Sequence, residues 1–173
     1  LNDIGYNTLT VDYGKPEPNL RQFIWELTTG FYSGAKELAS IIDFLQKYNP
    51  DLKVLIAGES FGAMRSNTAM EFFMKNPNVY SIQVGIPGFP KLSNNNAPNA
   101  TLRIDSNGVE SDAFHEMDVP YIVLNVLKNL EKIKKEGWAM AGLAPGHYYN
   151  WGFEEVRKEI TSYLNNVFGR QLN

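Results

Sequence analysis

Apolar positions along the chain follow two periods. From Phe31 to Tyr48, Phe31, Ala35, Leu38, Ile41, Ile42, Leu45 and Tyr48 recur about every 3.6 residues, which predicts an amphipathic helix with these side chains inward. Asn49-Pro50-Asp51 stops it. The same period predicts a helix from Phe153 to Phe168, with Phe153, Val156, Ile160, Leu164 and Val167 inward. Phe61 to Lys75 reads as a helix closed by Asn76-Pro77, and Leu20 to Leu27 as a short one. Strand-type runs lie at Asn7 to Asp12, Lys53 to Gly58, Tyr80 to Ile86, Thr101 to Asp105 and Trp138 to Leu143. Asp118 to Glu136 starts like a strand at Pro120. Its polar positions, Asn125, Lys128, Asn129, Lys132, Lys135 and Glu136, nevertheless share one helical face, and we read it as a helix.

Strands that alternate with helices predict an α/β layer fold: a mainly parallel sheet with flanking helices. At 173 residues the chain is read as one domain, 1–173, with a possible lid or substrate loop over 87–100.

Composition narrows this further. With 43% hydrophobic and 20% charged residues, disorder, collagen and coiled coil are excluded. A net charge of −3 argues against a nucleic-acid partner, since phosphate binding needs a basic excess on one face. Lys128 to Lys135 is interrupted by Glu131 and reads as a solvated helix face. No apolar run is long enough to span a membrane, and no signal-peptide pattern follows Leu1, so the N-terminus looks processed, trimmed or excerpted. The compartment stays open. Asn99-Ala100-Thr101 fits the glycosylation sequon, a pattern that recurs by chance. The chain has no cysteine, which removes disulfides, thiolate metal sites and a cysteine nucleophile.

The chemistry-bearing motif is Gly58-Glu59-Ser60-Phe61-Gly62, between a strand and a helix. A Gly-x-Ser-x-Gly turn there presents Ser60 at the C-terminal edge of the sheet, and the glycines remove Cβ atoms that would clash. It aims the helix N-terminus at a reacting carbonyl, so that the Phe61 N–H can donate to an oxyanion. A plain turn with a capping serine is the alternative. Serine needs a base, and the chain holds 2 histidines. His147, on the loop after the last strand, is the candidate base; His115 sits in an acidic stretch and is expected to be solvated or at the site entrance. A third group, an acid between Ser60 and His147, would hold the imidazole tautomer. Asp112 is chosen, Asp105 is second, and Glu131 is the candidate if Pro120 to Val126 is a strand. Phe61, Phe89, Tyr148, Tyr149 and Trp151 either line an apolar acyl pocket or serve as core and rim packing.

These residues resemble the α/β-hydrolase superfamily, the serine esterases and lipases. Gly5 to Tyr13 resembles the strand that precedes the helix and nucleophile strand, Lys53 to Ala63 resembles the nucleophile elbow, and Pro145-Gly146-His147 resembles the catalytic-histidine loop. The resemblance implies hydrolysis of a carboxylic ester or thioester through an acyl-enzyme. Ser60 would be nucleophile, His147 base and then acid, and Asp112 the orienting acid, with no cofactor or metal. A serine peptidase, an acyltransferase of this fold and a non-catalytic hydrolase-like binding domain are the alternatives. The chain departs from the family in one respect. No segment matches the Gly-rich strand end that lies beside the serine strand and gives the second oxyanion donor. The expectation is a truncated or minimal hydrolase fold. The missing strand would lie in an N-terminal segment, come from another chain, or be dispensed with. In the last case Tyr13-Gly14-Lys15 would supply the donor.

Overall fold

The computed structural model describes residues 7–13, 25–26, 29, 31–88, 100–109, 112, 115–116 and 147–169. Val54–Glu59 (β1), Val79–Val84 (β2) and Thr101–Ile104 (β3) form a parallel sheet in the order β1-β2-β3. Its register pairs Val54 with Val79, Glu59 with Val84, and Val84 with Ile104, so the three strands finish side by side. Tyr32–Tyr48 (α1), Phe61–Met70 (α2) and Glu154–Phe168 (α3) flank it, and a 3₁₀ turn, Glu71–Phe73, continues α2. This is a mixed α/β arrangement. None of the described helices is long and apolar enough to cross a membrane.

The period-2 alternation of the strands decides which helix covers which face. Val54, Ile56 and Val79 pack with Ala35, Ala39 and Ile42 of α1 and with Ala69, Met70 and Phe73. On the same face Ser81 Oγ meets Ser66 Oγ of α2 at 2.7 Å and accepts the Gln83 side-chain amide at 3.1 Å. These buried polar groups satisfy one another, which avoids the penalty of an unpaired donor in the core. On the opposite face Val84, Leu102 and Ile104 pack with Val156, Ile160 and Tyr149, and Tyr80 meets Phe168 of α3 at 5.1 Å between ring centres.

Two expectations are overturned. Residues 7–13 form no strand: they are irregular, with Leu9 and Val11 exposed, and Tyr13 Oη donates to Gly34 O of α1 at 3.4 Å. A β-branched run becomes a strand only where a partner edge and a packed face reward it. The inward set of α1 is also narrower than its sequence period suggests. Ala35, Ala39 and Ile42 are buried, whereas Ile41, Phe44, Leu45 and Tyr48 are exposed. The helix carries two apolar stripes, and the sheet covers one. Of Leu20 to Leu27 the structure describes Trp25 and Glu26, which are helical. The segments read as a helix at Asp118 to Glu136 and a strand at Trp138 to Leu143 lie outside the described residues, as do 89–99 of the candidate lid.

Phe73 is 3% exposed within the α1–α2 core, whereas its neighbour Phe72 is 43% exposed. Phe73→Ala is therefore expected to destabilise the protein by about 3–5 kcal/mol, and Phe72→Ala by less than about 1 kcal/mol. Urea unfolding of the two variants checks this.

Candidate active site

The site is built where the strands end. Ser60 follows β1 directly, with φ 54 and ψ −119, a conformation that L-residues rarely hold and that marks a sharp turn. Three features hold it there. Ser60 N–H donates to Val84 O at 2.9 Å, extending the β1–β2 ladder by one residue. Ser60 O accepts Met64 N–H at 3.0 Å in the first turn of α2. Gly58 allows the helix to lie against the strand, since a Cβ there would sit 2.5 Å from Gly62 C and 2.7 Å from Ala63 N. The second glycine of the motif has a different standing: a Cβ on Gly62 would meet nothing within 4 Å. Close packing requires Gly58, and not Gly62.

Asp112 and His147 come together. His147 Nδ1 lies 2.7 Å from Asp112 Oδ2, and the Asp112 side chain is 0% exposed. Burial by itself would raise the Asp112 carboxyl. The hydrogen bonds from His147 and Tyr149, the His147 charge and the His115 N–H outweigh burial and bring it below the usual range. An ionised carboxylate can only accept, so Nδ1 carries a proton; in the neutral imidazole Nε2 then presents the lone pair. His147 and Asp112 reach the same corner as Ser60. A Cβ on Gly85, next to the Val84 carbonyl that holds Ser60, would lie 3.2 Å from His147 Cε1 and 3.2 Å from Asp112 Oδ2. Gly85 has φ 60 and donates its N–H to Ile104 O at 2.7 Å, which ties this corner to the end of β3.

Of the other candidate acids and bases, Asp105 and His115 are described. Asp105 is engaged by Arg103 Nε at 2.9 and 3.1 Å and lies 3.5 Å from His115 Nδ1. His115 is not a freely solvated side chain: its Nδ1 also contacts Ile86 O at 3.0 Å. Glu131 and Gly14 lie outside the described residues. The Tyr13 hydroxyl is turned to Gly34 of α1. Phe61 opens α2, so its N–H lies at the N-terminal end of the helix; its ring packs on Phe31 at 5.6 Å.

The described aromatics do not converge on one pocket. Tyr148 is exposed and meets Phe153 edge-on at 6.1 Å, Trp151 is exposed, and Phe89 lies outside the described residues. Tyr149 is buried and donates its hydroxyl to Asp112 Oδ2 at 2.8 Å.

Sequence reasoning missed three residues here: Gly85, Tyr149 as a donor, and Glu59. Tyr149 was detectable, since residues two apart in extended chain point the same way and His147 is two before it. Glu59 ends β1. Burial pushes its carboxyl up, against the pull of the His147 charge and the Tyr149 N–H. Among the described residues no group of three His, Asp or Glu side chains comes together to hold a metal.

Two outcomes follow from this geometry. Gly58→Ala drives a Cβ into backbone and is expected to cost about 2 kcal/mol or more, whereas Gly62→Ala is neutral or stabilising by up to about 1 kcal/mol. Thermal unfolding of both variants checks the contrast. Asp112 has a depressed carboxyl, so its charge stabilises the fold fully above the ordinary aspartate range, and that stability is lost as pH falls through the lower folded value. Asp112→Asn is therefore expected to be less stable than wild type at pH 7, with the gap closing as pH falls below about 4, in unfolding curves measured across that range. Compared with models of known protein families, with curated proteins and with solved structures, the chain matches none.

Proposed function

We propose that the protein is a serine hydrolase of the α/β-hydrolase type, cleaving a carboxylic ester or thioester through an acyl-enzyme. The reading is carried by the pair of buried Asp112 with part-buried His147 at 2.7 Å, packed against Gly85 at the same sheet edge where Ser60, at φ 54, turns from strand to helix. Asp112 holds the imidazole with Nδ1 protonated. Nε2 then takes the Ser60 proton as Oγ attacks the carbonyl, and returns it to the leaving group. The Phe61 N–H, at the start of α2, faces the developing oxyanion, where the helix dipole also favours negative charge. Water attacks the acyl-enzyme in the second half-reaction, with His147 as base again.

A non-catalytic hydrolase-like domain is the second reading, and one observation favours it. Among the described residues no strand lies beside β1 on its outer edge, where the second oxyanion donor would be carried. Losing one oxyanion donor costs about 10²–10³ in kcat.

A fluorophosphonate probe separates the two. Wild type is expected to be labelled at Ser60, Ser60→Ala not at all, and His147→Ala at least about 10³-fold more slowly. Hydrolysis of a short p-nitrophenyl ester should fall in parallel. A folded wild-type protein that takes up no label would sink the hydrolase reading in favour of binding alone.

A further inference from the structure

Asp112 Oδ2 accepts two donors. His147 Nδ1 lies 2.7 Å away and Tyr149 Oη 2.8 Å away. The other oxygen, Oδ1, accepts the His115 backbone N–H at 3.2 Å. His147 and Tyr149 meet edge-on with ring centres 6.1 Å apart. All three side chains lie over the bare backbone of Gly85, whose missing Cβ would come 2.5 Å from Tyr149 Cε2 and 3.2 Å from both Asp112 Oδ2 and His147 Cε1. A conventional acid–base pair needs one donor on that oxygen. The second requires a separate explanation.

We propose that Tyr149 is a positioning residue for the Asp112–His147 pair: its hydroxyl locks the carboxylate in the orientation that faces Nδ1 and draws off part of the charge the shared oxygen offers the imidazolium. The phenol is suited to this. Burial, the bond to Asp112 and the nearby charges of Asp112, Asp105 and Glu59 push its ionisation well above the ordinary tyrosine value, so it stays a neutral donor across the working pH range. Two donors on one oxygen compete for its charge. Removing Tyr149 Oη leaves more charge facing His147 and strengthens the hold on the imidazolium proton. Strengthening the phenol as a donor does the reverse. The other groups facing the pair are Glu59 at the end of β1, Arg103 and Asp105 at the end of β3, and His115. All of them remain in the variants at position 149 below.

The inference rests on the hydrolase reading for its catalytic meaning, but its test does not. With only 2 histidines in the chain, the His147 ring protons are assigned by comparison with His115→Gln and titrated by NMR. In Tyr149→Phe the titration midpoint of His147 is expected to rise by about 0.5–1 pH unit. With 3-fluorotyrosine at position 149, a more acidic phenol and stronger donor, it should fall. If Tyr149→Phe does not fold, the fluorotyrosine variant decides alone. The rate of fluorophosphonate labelling at Ser60, followed against pH, should show its acidic limb moving with the same midpoints. Midpoints that stay at the wild-type value, or that move the opposite way, overturn the proposal and leave Tyr149 as packing. Midpoints that move while Ser60 takes no label keep the positioning role and reject the hydrolase reading instead.

Discussion

The Ser60 N–H to Val84 O bond is the constraint on which the rest of the site depends. It adds one rung to the β1–β2 ladder beyond the last paired residues and holds the chain at the moment it turns into α2. A serine at φ 54 costs of order 1–3 kcal/mol in backbone energy, and such a conformation persists only where its surroundings determine it. Here the surroundings are the ladder on one side, the first turn of α2 on the other, and a Gly58 with no Cβ to keep strand and helix apart. Each protects the others. A Cβ on Gly58 would push α2 outward, and the Ser60 turn would move with it.

From that turn the site spreads along the ends of the strands. Because the sheet is parallel and in register, Glu59, Val84 and Ile104 finish together. The residues that follow them, Ser60, Gly85 and Asp105, lie along one edge, and parallel sheets gather their chemistry at this carboxyl edge. Gly85 is the point of closest approach. Its positive φ and bare Cα leave the space into which Asp112, His147 and Tyr149 are packed. Asp112 and His147 are 35 residues apart in the chain, yet both pack against the single glycine that follows the central strand.

The energetics divide in the same way. The core between α1, α2 and the sheet carries the apolar burial, with Ile42, Met70, Phe73 and Val79 at its centre. Two clusters of buried polar groups satisfy one another: Ser66 with Ser81 and Gln83 in the core, and Asp112 with His147, Tyr149 and the His115 N–H at the site. A buried carboxylate with three donors is stable as an anion. As an anion it holds the His147 imidazole by accepting from Nδ1.

Local pattern was enough for the elements that meet a partner. The helices at Tyr32–Tyr48, Phe61–Met70 and Glu154–Phe168 and the three strands stand within a few residues of the spans that periodicity and breakers predict. So does the strand–serine–helix turn, because a Gly-x-Ser-x-Gly run between an apolar strand and a helix admits few backbone paths. The nearness of Asp112 to His147 follows from the chain order of serine, acid and histidine, although Asp105 was an equally acidic neighbour. In the structure it is Asp112 that lies on His147, while Asp105 is bonded to Arg103. Only tertiary structure decided the rest. Asn7 to Asp12 has strand composition but no partner edge among the described residues, and it is irregular. The apolar stripe of α1 is wider than the sheet it packs on, so Ile41 and Leu45 remain exposed. Tyr149 reads as an aromatic like its neighbour Tyr148, yet one is buried on Asp112 and the other lies out on Phe153. Periodicity records which side chains prefer to be inside. Which of them reach the inside, and which polar atom they meet there, depends on contacts between residues far apart in the chain.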